Sequence, residues 1–186
     1  MQIQFNRIAA ATIAVALTAG AFSAMAADVM VGGAPMSPTK DIIDNAVNSK
    51  DHTTLVAAVK AAGLVDTLKG PGPFTVFAPT NKAFAALPAG TVDTLLKPEN
   101  KDTLTGVLTY HVVPGKLDAA ELKKEIKAGK GSAELKTVAG GTLIAKTKGS
   151  KITLTDAKGG VATVTIPNVY QSNGVIHVVD KVLLPK

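Results

Sequence analysis

The chain's candidates for chemistry are its histidines and one nearby carboxylate. It has 186 residues, with three histidines and no cysteine. His177 lies in the apolar run NGVIHVVDKVLLPK, and Asp180 follows three residues later. A histidine oriented by a carboxylate can act as a general base, and imidazole nitrogens also bind zinc. Such a site would require His111, His177 and Asp180 to meet in the fold. His52, in the turn SKDHTT, is predicted to be solvated or to cap the next helix.

Other catalytic signatures are missing from the sequence. It has no GxSxG turn, no HExxH helix and no GxGxxG loop. The stretch AGKGS, residues 128–132, lacks the first glycine of a phosphate-binding loop and has Gly131 where that loop needs serine or threonine. We therefore predict no enzymatic activity, no metal ion and no cofactor. The alternative is a hydrolase or metalloenzyme that uses His111, His177 and Asp180.

A structural role accounts better for His177. A buried polar side chain without a partner costs about 1 to 3 kcal/mol, so a histidine in an aliphatic strand should be hydrogen-bonded. A neutral imidazole donates at one nitrogen and accepts at the other, and it can therefore join two segments. We expect His177 to reach either the Thr80-Asn81 turn or the Tyr110-His111 segment.

The elements that position these residues indicate an α+β domain. Residues 27–37 are rich in glycine, proline and small side chains and are predicted to be a flexible leader. Helical periodicity begins at Asp41, whereas FTVFAPT (74–80) and TYHVVPG (109–115) are predicted to be strands. From Thr142 onward, runs rich in Val, Thr and Ile alternate with turns and predict further strands. Helices first and strands later favour an α+β fold over an alternating parallel-sheet fold.

The N-terminus has the pattern of a secretory signal peptide. Arg7 precedes an apolar run from Ile8 to Phe22, and Ala24-Met25-Ala26 supplies small residues at the cleavage positions. The run has 15 residues, fewer than the roughly 20 that span a bilayer. We expect cleavage after Ala26, no transmembrane segment, and export to the periplasm or the exterior.

The distribution of positive charge indicates a candidate binding surface between Lys116 and Lys158. The formal net charge is +6 at pH 7, and lysines are concentrated in this stretch. They could contact an anionic partner such as a polysaccharide, or they could form an ordinary solvated face. Nucleic acid is not predicted, because no aromatic residues alternate with the lysines to stack bases. The candidate contacts are Lys116, Lys123, Lys124, Lys127, Lys130, Lys146, Lys148 and Lys151.

Three segments, in order, resemble the signature motifs of a fasciclin domain. They are FTVFAPTNKAF (74–84), TYHVVPG (109–115) and NGVIHVVDKVLLP (173–185). The residues that match the family pattern are Phe74, Thr80, Asn81, Phe84, Tyr110, His111, Asn173, Gly174, His177 and Asp180.

The resemblance implies a wedge-like β-sheet with short α-helices beside it, spanning residues 38–186. The chain is similar to the small, exported, single-domain members found in bacteria. The family implies a secreted, non-enzymatic adhesion module that binds cell-surface or matrix partners. We expect those partners to be proteins or polysaccharides, and we also expect weak self-association. A carrier of a small hydrophobic ligand, lipid or carotenoid, is the alternative. Tyr110 and His111 are interpreted first as structural and second as part of an interaction surface.

Overall fold

The computed structural model describes residues 28–186, so the predicted signal peptide lies outside the described residues. Within this range no helix is long and apolar enough to cross a membrane. Seven α-helices and one 3-10 turn, Pro98–Asn100, are present among these residues. The helices are α1 Ile42–Ala46, α2 Thr53–Ala62, α3 Val65–Lys69, α4 Asn81–Ala85, α5 Thr91–Leu95, α6 Lys101–Tyr110 and α7 Ala119–Ala128.

Side-chain caps fix the starts of several helices. The Asp41 carboxylate accepts a hydrogen bond from the Asp44 N–H at 2.8 Å and starts α1. Asp118 caps α7 by accepting from the N–H groups of Ala120 and Glu121, both at 2.9 Å. A carboxylate at this position satisfies backbone donors that have no partner within the helix.

Within residues 28–186, nine strands form a hairpin and one seven-stranded sheet. They are β1 Val29–Val31, β2 Ala34–Met36, β3 Phe74–Pro79, β4 Val112–Pro114, β5 Ser132–Lys136, β6 Thr142–Lys148, β7 Lys151–Thr155, β8 Val161–Gln171 and β9 Gly174–Val179. The order in the sheet is β4-β3-β9-β8-β7-β6-β5, and β3 and β9 are its parallel pair. The predicted α+β class is confirmed.

Strand β8 joins the two halves of the sheet. Residues 161–163 pair with β7, and residues 164–171 pair with β9. The pairing with β9 shifts register on both sides of Ile166. Such irregularities bend a strand and increase its twist, which folds the sheet into a wedge.

Two hydrophobic cores lie on opposite faces of β3 and β9. The first contains Val76 and Val178 and is covered by α1, α2, α3, α4 and α6. The second contains Phe77 and Val179 and is closed by Leu122 and Ile126 of α7. Every residue of β9 is buried, as expected for a strand covered on both faces.

A β-hairpin, β1-β2, replaces the flexible leader predicted for residues 27–37. Val31 and Met36 are each 3% exposed and belong to the first core. The turn is Gly32-Gly33, where φ is +59° and +78°, a combination that suits a tight hairpin turn and favours glycine. The domain boundary predicted at residue 38 therefore lies between two segments that both pack in the first core.

The Tyr110-His111 segment is helical at its start, which corrects the strand predicted for residues 109–115. Helix α6 runs through Tyr110, His111 is its C-cap, and β4 begins only at Val112. Leu104, Val107 and Leu108 are buried at the i, i+3, i+4 spacing of a helix face. Burial of this helix face stabilises the helix more than the β-propensity of the sequence Thr-Tyr-His-Val-Val favours a strand.

Candidate functional site

His177 joins three segments through backbone contacts. It is fully buried, and its ring stacks on Phe77 with centroids 5.6 Å apart. Nε2 lies 2.8 Å from the Leu117 carbonyl oxygen, and Nδ1 accepts from the Asn168 N–H at 3.4 Å. Its partners are therefore in neither of the two segments predicted from the sequence, although both ring nitrogens are hydrogen-bonded, as expected for a buried histidine. Burial lowers the pKa of His177, so the ring is neutral.

His111 fastens the C-terminal segment to helix α6. Nδ1 lies 2.7 Å from the Val107 carbonyl oxygen, and Nε2 accepts from the Leu183 N–H at 2.9 Å. Since Nε2 accepts, the proton is on Nδ1 and is donated to Val107. Burial lowers the pKa of His111 to about 4, which keeps the ring neutral.

His52 is buried, which corrects the solvated position predicted for it. It is 3% exposed and lies at the N-cap of α2 without making a side-chain cap. Nδ1 lies 2.9 Å from Ser49 Oγ, whereas Nε2 has no hydrogen-bond partner among residues 28–186. Burial lowers the pKa of His52, and the nearby Ala78 carbonyl acts in the opposite direction.

The residues suggested for a catalytic or metal site do not assemble. Asp180 is exposed, and its Oδ1 accepts from the Thr163 N–H at 2.7 Å. In the described part of the chain, no group of three or more His, Asp or Glu side chains could hold a metal ion. Both ring nitrogens of His111 and of His177 are used in backbone contacts.

Tyr110 connects helix α6 to the other half of the wedge. It is 1% exposed, and its hydroxyl donates to the Thr142 carbonyl at 2.7 Å. The same oxygen accepts from the Ala157 N–H at 3.0 Å. Burial raises the pKa of Tyr110. Tyr110 and His111 are both buried, so the structural interpretation fits them better than a role in a surface contact.

The first motif ties strand β3 to the start of α2. Thr80 caps α4 by accepting from the Ala83 N–H at 3.2 Å. Asn81 accepts from the Thr54 N–H at 3.0 Å, and its amide donates to the Lys50 carbonyl at 2.8 Å. Phe84, on α4, is buried and belongs to the first core.

The third motif ties β9 to α1 and α3. Asn173 accepts from the Ile42 N–H at 3.1 Å and donates to the Leu68 carbonyl at 2.7 Å. Gly174 lies opposite Phe74 in the parallel pair. A Cβ atom on Gly174 would lie 2.0 Å from the Phe74 carbonyl oxygen, so only glycine fits there.

All eight candidate lysines are exposed, and seven of them form two groups. The first group is on or just after α7: Lys123, Lys124, Lys127 and Lys130. The second group is on β6 and β7: Lys146, Lys148 and Lys151. Lys116 stands apart, with its ammonium 5.0 Å from the centre of the Tyr170 ring.

The two lysine groups meet at one small cleft. Lys123 of α7 and Lys151 of β7 both line it, together with Ser150 and Thr165, and its volume is about 110 Å³. Neither lysine forms a salt bridge within the described residues, whereas Lys124 pairs with Glu121 at 3.3 Å. Cationic and hydroxyl groups on either side of a cleft could contact an anionic group.

A second cavity lies within the first core. Its volume is about 70 Å³, its accessible wall is apolar, and it is partly open to the surface. Helices α2 and α3 supply Leu55, Val59 and Leu68, and the sheet supplies Val76 and Ile176. The sequence carries no signal for this cavity, because its walls come from segments far apart in the chain.

Several polar residues that organise the site were not singled out from the sequence. Asp118 has a recognisable signal, since an aspartate followed three residues later by glutamate is typical of a helix start. Asn168 has none: its positive φ of 59° and its contact with Ala119, 2.7 Å from N to Oδ1, depend on tertiary structure. Asp156 accepts from the backbone of Gly160 at 2.7 Å and of Leu184 at 3.0 Å.

The motifs, wedge and helices define a domain held together by buried hydrogen bonds, with its candidate lysines at the surface. The chain belongs to the fasciclin family, since the Fasciclin domain model matches residues 50–185. It is 51% identical over 156 residues to Protein sll1483 of Synechocystis sp., covering 84% of this chain and 79% of that protein. It is 37% identical over 145 residues to Immunogenic protein MPB70 of Mycobacterium bovis, covering 75% of this chain and 66% of that protein.

A solved structure has the same fold. It is a FAS1 domain pair from the insect cell adhesion molecule Fasciclin I, with a TM-score of 0.68 and 19% sequence identity. The match covers 78% of this chain and 51% of that one. The predicted wedge-like sheet with short helices beside it is confirmed.

Proposed function

We propose that this protein is an exported, non-enzymatic binding module that contacts an anionic cell-surface or matrix polysaccharide. The observation that carries the proposal is the cleft between Lys123 and Lys151, where the two lysine groups meet. Family membership supports an interaction role, since the similar insect protein is a cell adhesion molecule.

Salt dependence and paired variants test this proposal. Binding to immobilised alginate, a polyuronate, should weaken from 0.1 M to 1 M salt, because the screening length falls from about 10 Å to about 3 Å. A double variant, Lys123→Gln with Lys151→Gln, should lose about three- to tenfold in affinity, as two exposed charge contacts are removed. The control double variant, Lys60→Gln with Lys82→Gln, should keep its affinity. Salt-independent binding, or equal losses in both variants, would contradict the proposal.

We propose that the protein is exported because residues 1–26 have the pattern of a signal peptide. Secretion of the full chain by a bacterial host should yield a mature protein that begins at Ala27, as measured by intact mass. A signal peptide that is cleaved after Ala26 predicts this mass, and an uncleaved chain would contradict it.

A carrier of a small hydrophobic ligand is a second candidate function, favoured by the apolar cavity in the first core. Its volume of about 70 Å³ is roughly half that of a 150 Å³ cavity that holds benzene. It can therefore enclose one small apolar group, while the rest of a longer lipid or carotenoid would lie outside it. Protein purified from its native host should then contain extractable lipid or pigment, and a colourless, lipid-free preparation would contradict this function.

A further inference from the structure

The strand lysines beside the small cleft form a like-charge pair. Lys148 and Lys151 are directly opposite each other at the end of the β6-β7 hairpin, where the two-residue turn Gly149-Ser150 joins the strands. Both lysines are exposed, and neither forms a salt bridge among residues 28–186. Like charges at directly opposite positions are destabilising, so this pair costs free energy that a bound anion would recover.

Helix α7 repeats this arrangement on the other side of the cleft. Lys123 and Lys127 are four residues apart and are therefore neighbours on one face of the helix, where like charges repel. They are exposed and form no salt bridge within the described range, unlike Lys124, which pairs with Glu121. Each side of the cleft thus carries a pair of cations, and one member of each pair, Lys123 or Lys151, lines it.

Both pairs extend from the cleft in the same direction, toward β5. Helix α7 begins at Ala119, which lines the cleft together with Pro167 of β8, and the helix contacts β6 and β5. In the sheet, Lys151 is on β7 and Lys148 is on β6, one strand nearer to β5. Neighbouring strands are about 4.8 Å apart and four helical residues rise about 6 Å, so the two steps have similar lengths. Two rows of cations suit an extended anionic chain better than a single small anion.

We propose that the partner is a linear polyuronate longer than a disaccharide, whose chain leaves the cleft and continues along Lys127 and Lys148. A polyuronate has a carboxylate on each sugar residue, and the length of one sugar residue is similar to the step between the lysines of a pair. A planar membrane surface fits less well, because Lys123 and Lys151 both line a concave cleft. This inference rests on the polysaccharide binding proposed above and adds the length and charge density of the ligand.

Mannuronate oligomers of two and six sugar residues test this inference, by titration of the ¹⁵N-labelled protein. The double variant Lys127→Gln with Lys148→Gln keeps both cleft lysines, so its affinity for the dimer should be unchanged. Its affinity for the hexamer should fall about three- to tenfold, because two exposed charge contacts are removed. The control, Lys136→Gln with Lys158→Gln, removes two exposed lysines at the opposite end of the sheet and should leave both affinities unchanged.

Three outcomes overturn the inference. If the first double variant keeps the parent's affinity for the hexamer, the chain does not extend along Lys127 and Lys148, while binding at the cleft still stands. If the parent binds neither oligomer, both the inference and the polysaccharide function are wrong. Binding of the parent to phosphatidylserine vesicles, together with no binding of the hexamer, would assign these lysines to a membrane surface instead.

Discussion

At the residue scale, the motif histidines join backbone groups that the chain brings together from distant positions. His111 links residues 107 and 183, and His177 links residues 117 and 168. Both rings must be neutral, because a protonated ring would have no acceptor for the backbone N–H that each now binds. Their contribution to stability therefore depends on pH.

Acid should destabilise the protein through His111. Its folded pKa of about 4 lies below the unfolded value of about 6.5, so its contribution is complete above pH 6.5 and is lost as pH falls toward 4. Between pH 7.5 and pH 4.5, protonation of His111 should lower the free energy of unfolding of the parent protein by about 2 to 3 kcal/mol. Urea unfolding at these two pH values should show a smaller loss in His111→Gln. Equal losses of unfolding free energy in the parent and the variant would show that folding does not lower the pKa of His111.

At the element scale, single side chains set how helices attach to the sheet. Asn173 contacts the start of α1 and the carbonyl groups of Leu68 and Gly70 at the end of α3. Asn173→Ala should lower the free energy of unfolding by about 2 to 3 kcal/mol, because it leaves partly buried backbone groups unpaired. Asn48→Ala, at an exposed position with one hydrogen bond, is the control and should cost under about 1 kcal/mol. The urea midpoints of the two variants measure these costs. Similar midpoints would contradict the role of Asn173 in attaching the helices to the sheet.

The N-terminal hairpin should also contribute to stability. Met36 is 3% exposed in the first core, whereas Met30 on the other strand is 58% exposed. Met36→Ala should cost about 2 to 4 kcal/mol by leaving a cavity, and Met30→Ala should cost little. Thermal melts of the two variants provide the measurement. A flexible leader would instead make both substitutions neutral.

The sequence predicts elements well where the pattern is local and poorly where tertiary contacts decide. Strand β3, the first helices after Asp41 and the strands after Thr142 follow from periodicity and turn residues. The hairpin and the end of α6 do not, since burial of Met36 and of Tyr110 overrides their local preferences. The structural role of His177 follows from its aliphatic neighbours, but its partners, Leu117 and Asn168, lie 60 and 9 residues away and cannot be identified from spacing.

At the scale of the whole molecule, β3 and β9 are shared by both cores. Phe77 faces the second core, Val76 the first, and both strands are covered on each side. This arrangement couples the helical half to the C-terminal half, since neither core can open without exposing a face of these strands.

Hydrogen exchange should reveal this coupling. The amides of Phe77 and Val178 should exchange only through global unfolding, with an opening free energy equal to that from urea denaturation. Helix α5 has no buried residue and should open locally at much lower free energy. Exchange measured by NMR at increasing urea concentrations should place β3 and β9 in the last group to open. If the amides of the first core opened at a distinctly lower free energy than those of the second, the shared strands would not couple the two halves.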